Sequence, residues 1–237
     1  MHPSEQRTWA GILGAIGAFG FFLGDQGLYF AAVSGAEFQA HLREIVVAAP
    51  TWRVLLGAGI APWCTLLYLF GFWHVYLNIR DRQPRLGAAI ALAMTMIYLF
   101  GSSYHVYWAA KALSMKAVAA ARPMAPPALM TLYAQIHDFG ARLYLGAEVF
   151  SYVGLLALPL LIALRRTAYP RWMALFTPAA PALLIQTFAT AIPAPLGSVL
   201  VGGSINLSFL LFFIMSVVTT RSADSAIKVM DGMASAR

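Results

Sequence analysis

Six apolar runs govern what this chain can become: Trp9–Val33, Trp52–Ile79, Leu86–Ala112, Leu129–Leu164, Trp172–Pro193 and Leu196–Thr220. An α-helix rises about 1.5 Å per residue, so about 20 residues cross a hydrocarbon core of about 30 Å. None of the runs alternates polar with apolar residues. A backbone in lipid must satisfy its hydrogen bonds internally, which leaves helices. The expected fold class is therefore all-α, an integral membrane bundle of six transmembrane helices forming a single domain over residues 1–237. Only 11% of the residues are charged, where soluble domains carry roughly 25%. The lipid bilayer is the first partner this composition implies.

The connections between runs are short and punctuated. Arg80–Arg85 is a charged turn, Arg165–Arg171 carries Pro170, and Pro193-Ala194-Pro195-Leu196-Gly197 reads as a tight bend. The Pro126-Pro127 pair suits a helix N-terminus. Between the first two runs, Phe38, Leu42, Ile45 and Val46 fall at i, i+4, i+7 and i+8. That spacing predicts a short amphipathic helix over 37–49 lying at the interface. Ser34-Gly35-Ala36 imitates a signal-peptide cleavage site. The apolar stretch before it exceeds a signal core of roughly 7–15 residues, so the first run is expected to be a retained helix.

Basic residues set the expected orientation. One side collects Arg7, Arg80, Arg82, Arg85, Arg165, Arg166, Arg171, Arg221, Lys228 and Arg237. The other has Arg43, Arg53, Lys111, Lys116 and Arg122, with Arg142 just inside the fourth helix. The positive-inside rule then puts both termini in the cytoplasm of a multi-pass cell-membrane protein, in the first instance of a bacterial inner membrane. Trp9, Trp52, Trp73, Trp108 and Trp172 stand near run ends, as an aromatic belt does. The net charge of +7 is dispersed over these run ends and forms no stripe, so no nucleic-acid partner is expected. The one cysteine, Cys64, lies in an apolar run and excludes an internal disulfide. Gly11, Gly14, Gly17 and Gly20, and Gly202-Gly203, read as positions where helices approach closely.

Polar residues inside the runs carry the functional signal. Counted from the middle of each run, Asp25, Ser102, His105, Glu148, Gln186, Ser204 and Asn206 fall about 5–10 Å outward of the bilayer centre. Tyr98, Ser102 and His105 share one face of the third helix at i, i+4 and i+7, and Asp25 shares a face of the first with Tyr29. His137, Tyr144 and Glu148 recur at i, i+7 and i+11 along the fourth. His137, Asp138 and Arg142 form a rim at the outer boundary, with Asp138 and Arg142 an i, i+4 pair. The inner half offers no comparable set; its intramembrane candidate is His74, near Tyr76, Asn78 and Arg80.

An ionisable side chain in hydrocarbon costs at least about 2.5 kcal/mol, so it faces the bundle interior and finds a partner. His105 is the natural partner of Asp25. Two carboxyls and an imidazole at one depth suit acid–base catalysis by Asp25, His105 and Glu148. Tyr29, Tyr98, Ser102, Tyr144, Gln186, Ser204 and Asn206 would line the pocket for a lipophilic small molecule. Isomerisation, cyclisation, dehydration or hydrolysis are the reactions that fit. One alternative is a binding or transport protein for a small molecule or proton using the same pocket. A second is a zinc-dependent membrane hydrolase with His105, His137, Asp25, Asp138 and Glu148 as ligands. No His-Glu-x-x-His spacing favours zinc, and no cofactor is expected. Haem is not expected either, because His74 and His105 lie in opposite halves of the membrane.

The stretches "FFLGDQGLY" (21–29), "LYLFGFWHVY" (67–76) and "GSSYHVYW" (101–108) resemble an uncharacterised bacterial family of six-helix integral-membrane proteins. The likeness covers most of the chain. It implies six helices and marks Asp25, His74 and His105 as characteristic positions; it implies no activity.

Overall fold

The computed structural model describes the backbone of residues 3–235 and the side chains of residues 4–222. The described residues form α1 (Pro3–Tyr29), α2 (Gly35–Ala48), α3 (Thr51–Gly59), α4 (Ala61–Ile79), α5 (Pro84–Ala120), α6 (Pro127–Ala163), α7 (Ala179–Thr187) and α8 (Ser204–Ser235). 3-10 turns at Arg171–Phe176 and Ala189–Ala191 flank α7, and a π-helical turn at Ser198–Gly202 precedes α8. Lys228 and Arg237, part of the expected charge asymmetry, lie outside the described side chains.

Five segments among the described residues are long and apolar enough to cross a membrane, as in a multi-pass membrane protein: Ser4–Tyr29, Thr51–Ile79, Pro84–Ala120, Pro127–Ala163 and Ser204–Ser222. The helix expected over 172–193 is not continuous. Its longest piece, α7, has 9 residues and spans about 14 Å, less than half of a bilayer. Pro178, Pro181 and Pro193 explain the break, because each lacks an N–H and crowds the preceding turn. This segment still joins the two ends of the bundle. At one end Ala168 N–H donates to the Asn78 carbonyl at 2.8 Å; at the other Gly35 N–H donates to the Ile192 carbonyl at 2.9 Å. The last helix also starts later than expected, because the chain from 196 to 203 is spent on the bend and the π-helical turn.

The remaining runs form where the sequence places them. The second divides at Ile60 into α3 and α4, with Pro62 in the first turn of α4. The amphipathic segment is α2, closed at its N-terminus by a reciprocal cap between Ser34 and Glu37. Its C-terminal end is held by Lys116, whose ammonium donates to the carbonyls of Val47 at 2.6 Å and of Ala49.

α1 is the central element, antiparallel to α4 and to α8. Glycine makes the α1–α4 approach possible: a Cβ on Gly14 would stand 2.5 Å from the Gly71 Cα, and one on Gly20 would stand 2.7 Å from the Cys64 sulfur. Lipid tails are as apolar as leucine, so such contacts and interhelical hydrogen bonds hold a membrane bundle together. Tyr68, Phe72, Phe209, Phe212 and Phe213 fill the interior beneath them. Trp9, Trp52, Trp73 and Trp172 are exposed, in keeping with a belt. Trp108 is not: it is buried against Tyr29, with the Lys111 ammonium 4.4 Å from its ring centroid.

Candidate functional site

Four helices send polar side chains to one point. From α1, Asp25 offers two carboxylate oxygens. His105 of α5 meets Oδ1 through Nε2 at 3.1 Å, and Asn206 of α8 donates Nδ2–H to Oδ2 at 2.7 Å. The Asn206 amide oxygen lies 2.8 Å from the phenol oxygens of both Tyr68 on α4 and Tyr98 on α5. Those two rings are stacked with centroids 3.8 Å apart.

Local sequence explains the convergence. Tyr98 and His105 are seven residues apart and so share the inward face of α5. Gly24 beside Asp25 leaves room for α3, α4 and the imidazole together. A Cβ there would lie 2.7 Å from the Ile60 Cγ2 and 3.3 Å from the His105 Cε1. Phe21, one turn before Asp25, places its ring edge-on to His105 at a centroid distance of 4.7 Å.

Asp25 and His105 are only 5% and 6% exposed. A carboxylate buried without partners would cost several kcal/mol; here each oxygen has a donor. A carboxylate oxygen only accepts, so Nε2 carries the proton it shares with Asp25. The other ring nitrogen, Nδ1, is buried with no hydrogen-bond partner. An imidazole oriented at one nitrogen by a carboxylate and open at the other is the arrangement that moves protons in acid–base catalysis.

Other expected site residues are placed elsewhere. Glu148 is exposed on α6 and has no hydrogen bond to Asp25 or His105, so it does not join their centre. It shares its face with Tyr144 and Tyr152, which are 48% and 66% exposed. Tyr144 packs on the Tyr104 ring at 5.1 Å. Tyr29 packs on Trp108 and Phe38. Ser102 is buried on the face of α5 that carries His105. Gln186 and Ser204 bond to each other at 2.9 Å and tie α7 to α8.

The expected rim is exposed along α6, where His137 lies against Tyr133. Asp138 and Arg142 do not pair, whereas Arg80 pairs with Asp81 at 3.5 Å. No three of His, Cys, Asp and Glu gather among the described residues. The five zinc donors considered are thus divided, Asp25 and His105 inside, His137, Asp138 and Glu148 on α6. Three pockets of about 490, 340 and 330 Å³ open elsewhere, none lined by Asp25, His105 or Asn206. Phe21, Tyr68 and Tyr98 pack the centre closed.

Two features escaped the sequence. Tyr68 was not among the expected residues, although Tyr68, Phe72, Val75 and Ile79 recur at helical spacing on a buried face. The half of the bundle expected to lack a polar set has one around fully buried His74. Its Nδ1 lies 2.7 Å from the Arg7 carbonyl and therefore donates. Its Nε2 lies 2.5 Å from the Ser216 hydroxyl, which is 2.8 Å from the Tyr169 phenol oxygen. Burial pushes the Tyr169 phenol above its ordinary range, so it remains a neutral donor. Asn78 donates to the His74 carbonyl at 2.8 Å. Phe72, Phe209 and Phe213 lie along α4 and α8 between the two polar centres.

A family model described as a family of unknown function (DUF6796) matches residues 3–223. The chain belongs to that family. No curated protein and no solved structure matches it. The DUF6796 match takes in both polar centres, from Arg7 to Ser216. Its description agrees with the resemblance read from the three sequence stretches at the level of an uncharacterised family, and assigns no activity.

Proposed function

We propose that Asp25, His105 and Asn206 form the acid–base site of a multi-pass membrane protein that acts on a lipophilic small molecule. The observation that carries this reading is the buried, unpartnered Nδ1 of His105. Asp25 fixes the ring and compensates the imidazolium formed when Nδ1 takes a proton from the substrate; returning it to another atom completes an isomerisation. Dehydration and hydrolysis use the same transfers. Asn206 holds the carboxylate, and Tyr68 and Tyr98 hold Asn206, so these three are positioning residues. Substrate entry requires the Phe21 ring to leave its place against His105.

On this reading the chain crosses a cell membrane six times, the fifth pass made by the broken segment 171–203, and both termini face the cytoplasm. Arg7, Arg80, Arg82, Arg85, Arg165, Arg166 and Arg171 at one end of the bundle support that orientation. The test incubates lipid extracts with the purified wild type, His105→Gln and Glu148→Gln, followed by mass spectrometry. Conversion by the wild type and Glu148→Gln, but not by His105→Gln, is expected. Equal conversion by His105→Gln would remove the acid–base role.

A second reading, proton carriage, is favoured by the His74 centre on the same α1, α4 and α8. Under it, the wild type in liposomes dissipates an imposed pH gradient and both His74→Gln and His105→Gln do not.

A further inference from the structure

At the arginine-rich end of the bundle a pocket of about 490 Å³ is lined by Arg82, Arg165, Arg171, Thr167, Tyr169 and Thr219, with Ala168 and Pro170. It lies away from the Asp25 centre and does not depend on the acid–base reading. Among the described residues none of its three arginines has an acidic partner; the Asp81 carboxylate at this end pairs with Arg80. Backbone carbonyls hold two of them in place instead. Arg82 Nη1 donates to the Arg165 carbonyl at 2.6 Å, and Arg171 Nε donates to the Ala163 carbonyl at 3.1 Å. Each bond uses a single N–H of its guanidinium and leaves the rest of the fork to a ligand.

Arg165 itself stands where the backbone least favours a side chain. Its φ is 56°, the only positive value recorded for a residue other than glycine among the described residues. The chain leaves α6 there by a Schellman closure, with Arg166 N–H on the Leu161 carbonyl at 2.9 Å and Arg165 N–H on the Ile162 carbonyl at 3.0 Å. Glycine is the usual occupant of that position. A basic residue is welcome at a helix C-terminus, but Arg166 supplies that charge without taking the left-handed position. A local rule broken at a pocket rim is a mark of function.

Planar guanidinium forks match the oxygens of phosphate, and hydroxyl groups complete such sites. We propose that this pocket binds a phosphate group through Arg82, Arg165 and Arg171, carried by a lipid headgroup or by a soluble anion.

The test uses the full chain in phosphatidylcholine nanodiscs, with and without phosphatidylglycerol, and in neutral detergent titrated with pyrophosphate. Native mass spectrometry counts retained lipid, and calorimetry reads pyrophosphate. Arg165→Gly is the informative variant, since glycine suits the positive φ while removing the side chain. It is expected to weaken binding at least tenfold, with a thermal midpoint no lower than wild type. Arg171→Gln is expected to weaken binding likewise, whereas Arg85→Gln, at the same end but outside the lining, leaves it unchanged. Selective retention of phosphatidylglycerol without pyrophosphate binding assigns the site to a lipid headgroup; pyrophosphate binding assigns it to a soluble phosphate. Binding of neither, or binding unchanged in both Arg165→Gly and Arg171→Gln, overturns the proposal.

Discussion

Replacing His105 with leucine keeps the side chain's bulk and removes the 3.1 Å bond to Asp25 Oδ1. The carboxylate then remains buried at 5% exposure, with Asn206 as its remaining donor. Removing one partner of a buried charge costs about 3–5 kcal/mol, because the charge is left short of compensation. In a chain of this size about 1 kcal/mol moves the unfolding midpoint by about 2–4 °C, so a fall of about 6–20 °C is expected. The double variant Asp25→Val/His105→Leu removes the carboxylate together with its imidazole donor. Its residual loss is one orphaned Asn206 amide, about 1–3 kcal/mol, so it should melt above His105→Leu. Intrinsic tryptophan fluorescence of the detergent-solubilised chain gives the midpoints, and completing the cycle with Asp25→Val gives the coupling. The reasoning fails if His105→Leu melts within about 2 °C of wild type, or if the double variant loses as much as the two single variants summed.

Helix approach gives a second prediction. Gly14→Val should cost about 1–3 kcal/mol by forcing α1 from α4, whereas Gly101→Ala, with nothing within 4 Å of its Cβ, should be neutral or stabilise; the same melting assay separates them. Ser216→Ala should destabilise by about 1–3 kcal/mol by removing the hydroxyl that links His74 Nε2 to the Tyr169 phenol, and hydrogen exchange around His74 on α4 and Ser216 on α8 should rise. The Glu37 carboxyl is held below its ordinary range by hydrogen bonds from the Ser34 N–H and hydroxyl. The cap is therefore fully present above the ordinary glutamate range and lost as pH falls through the lowered value. Exchange at the start of α2 should accelerate on acidification, and this dependence should vanish in Glu37→Gln.

Residue spacing made much of this architecture legible. Long apolar runs need no tertiary information to become helices, and α1, α5 and α6 appear close to where the runs place them. The run over 172–193 failed because its hydropathy resembles a spanning helix while its prolines forbid a continuous one. For the site, depth counting brought Asp25, His105 and Asn206 to one level, and they do meet. Depth gives no azimuth, however, and Glu148 reached the same level on the wrong face of α6. Its neighbour Tyr144 hid that error, since a tyrosine suits a pocket wall and a membrane interface equally. The His74 centre was missed for another reason: half of its partners are the Arg7 carbonyl and Tyr169 in an irregular loop, which no helical periodicity registers.

Histidine nitrogen resonances give the most direct test of the claim that the chemistry centres on Asp25 and His105. The chain has five histidines, so His105→Gln identifies the His105 signals in nitrogen-15 histidine-labelled protein in nanodiscs. The account predicts that Asp25→Asn displaces the His105 Nε2 signal strongly and that Glu148→Gln leaves it in place. A His105 signal indifferent to Asp25→Asn, or displaced as far by Glu148→Gln, would contradict it.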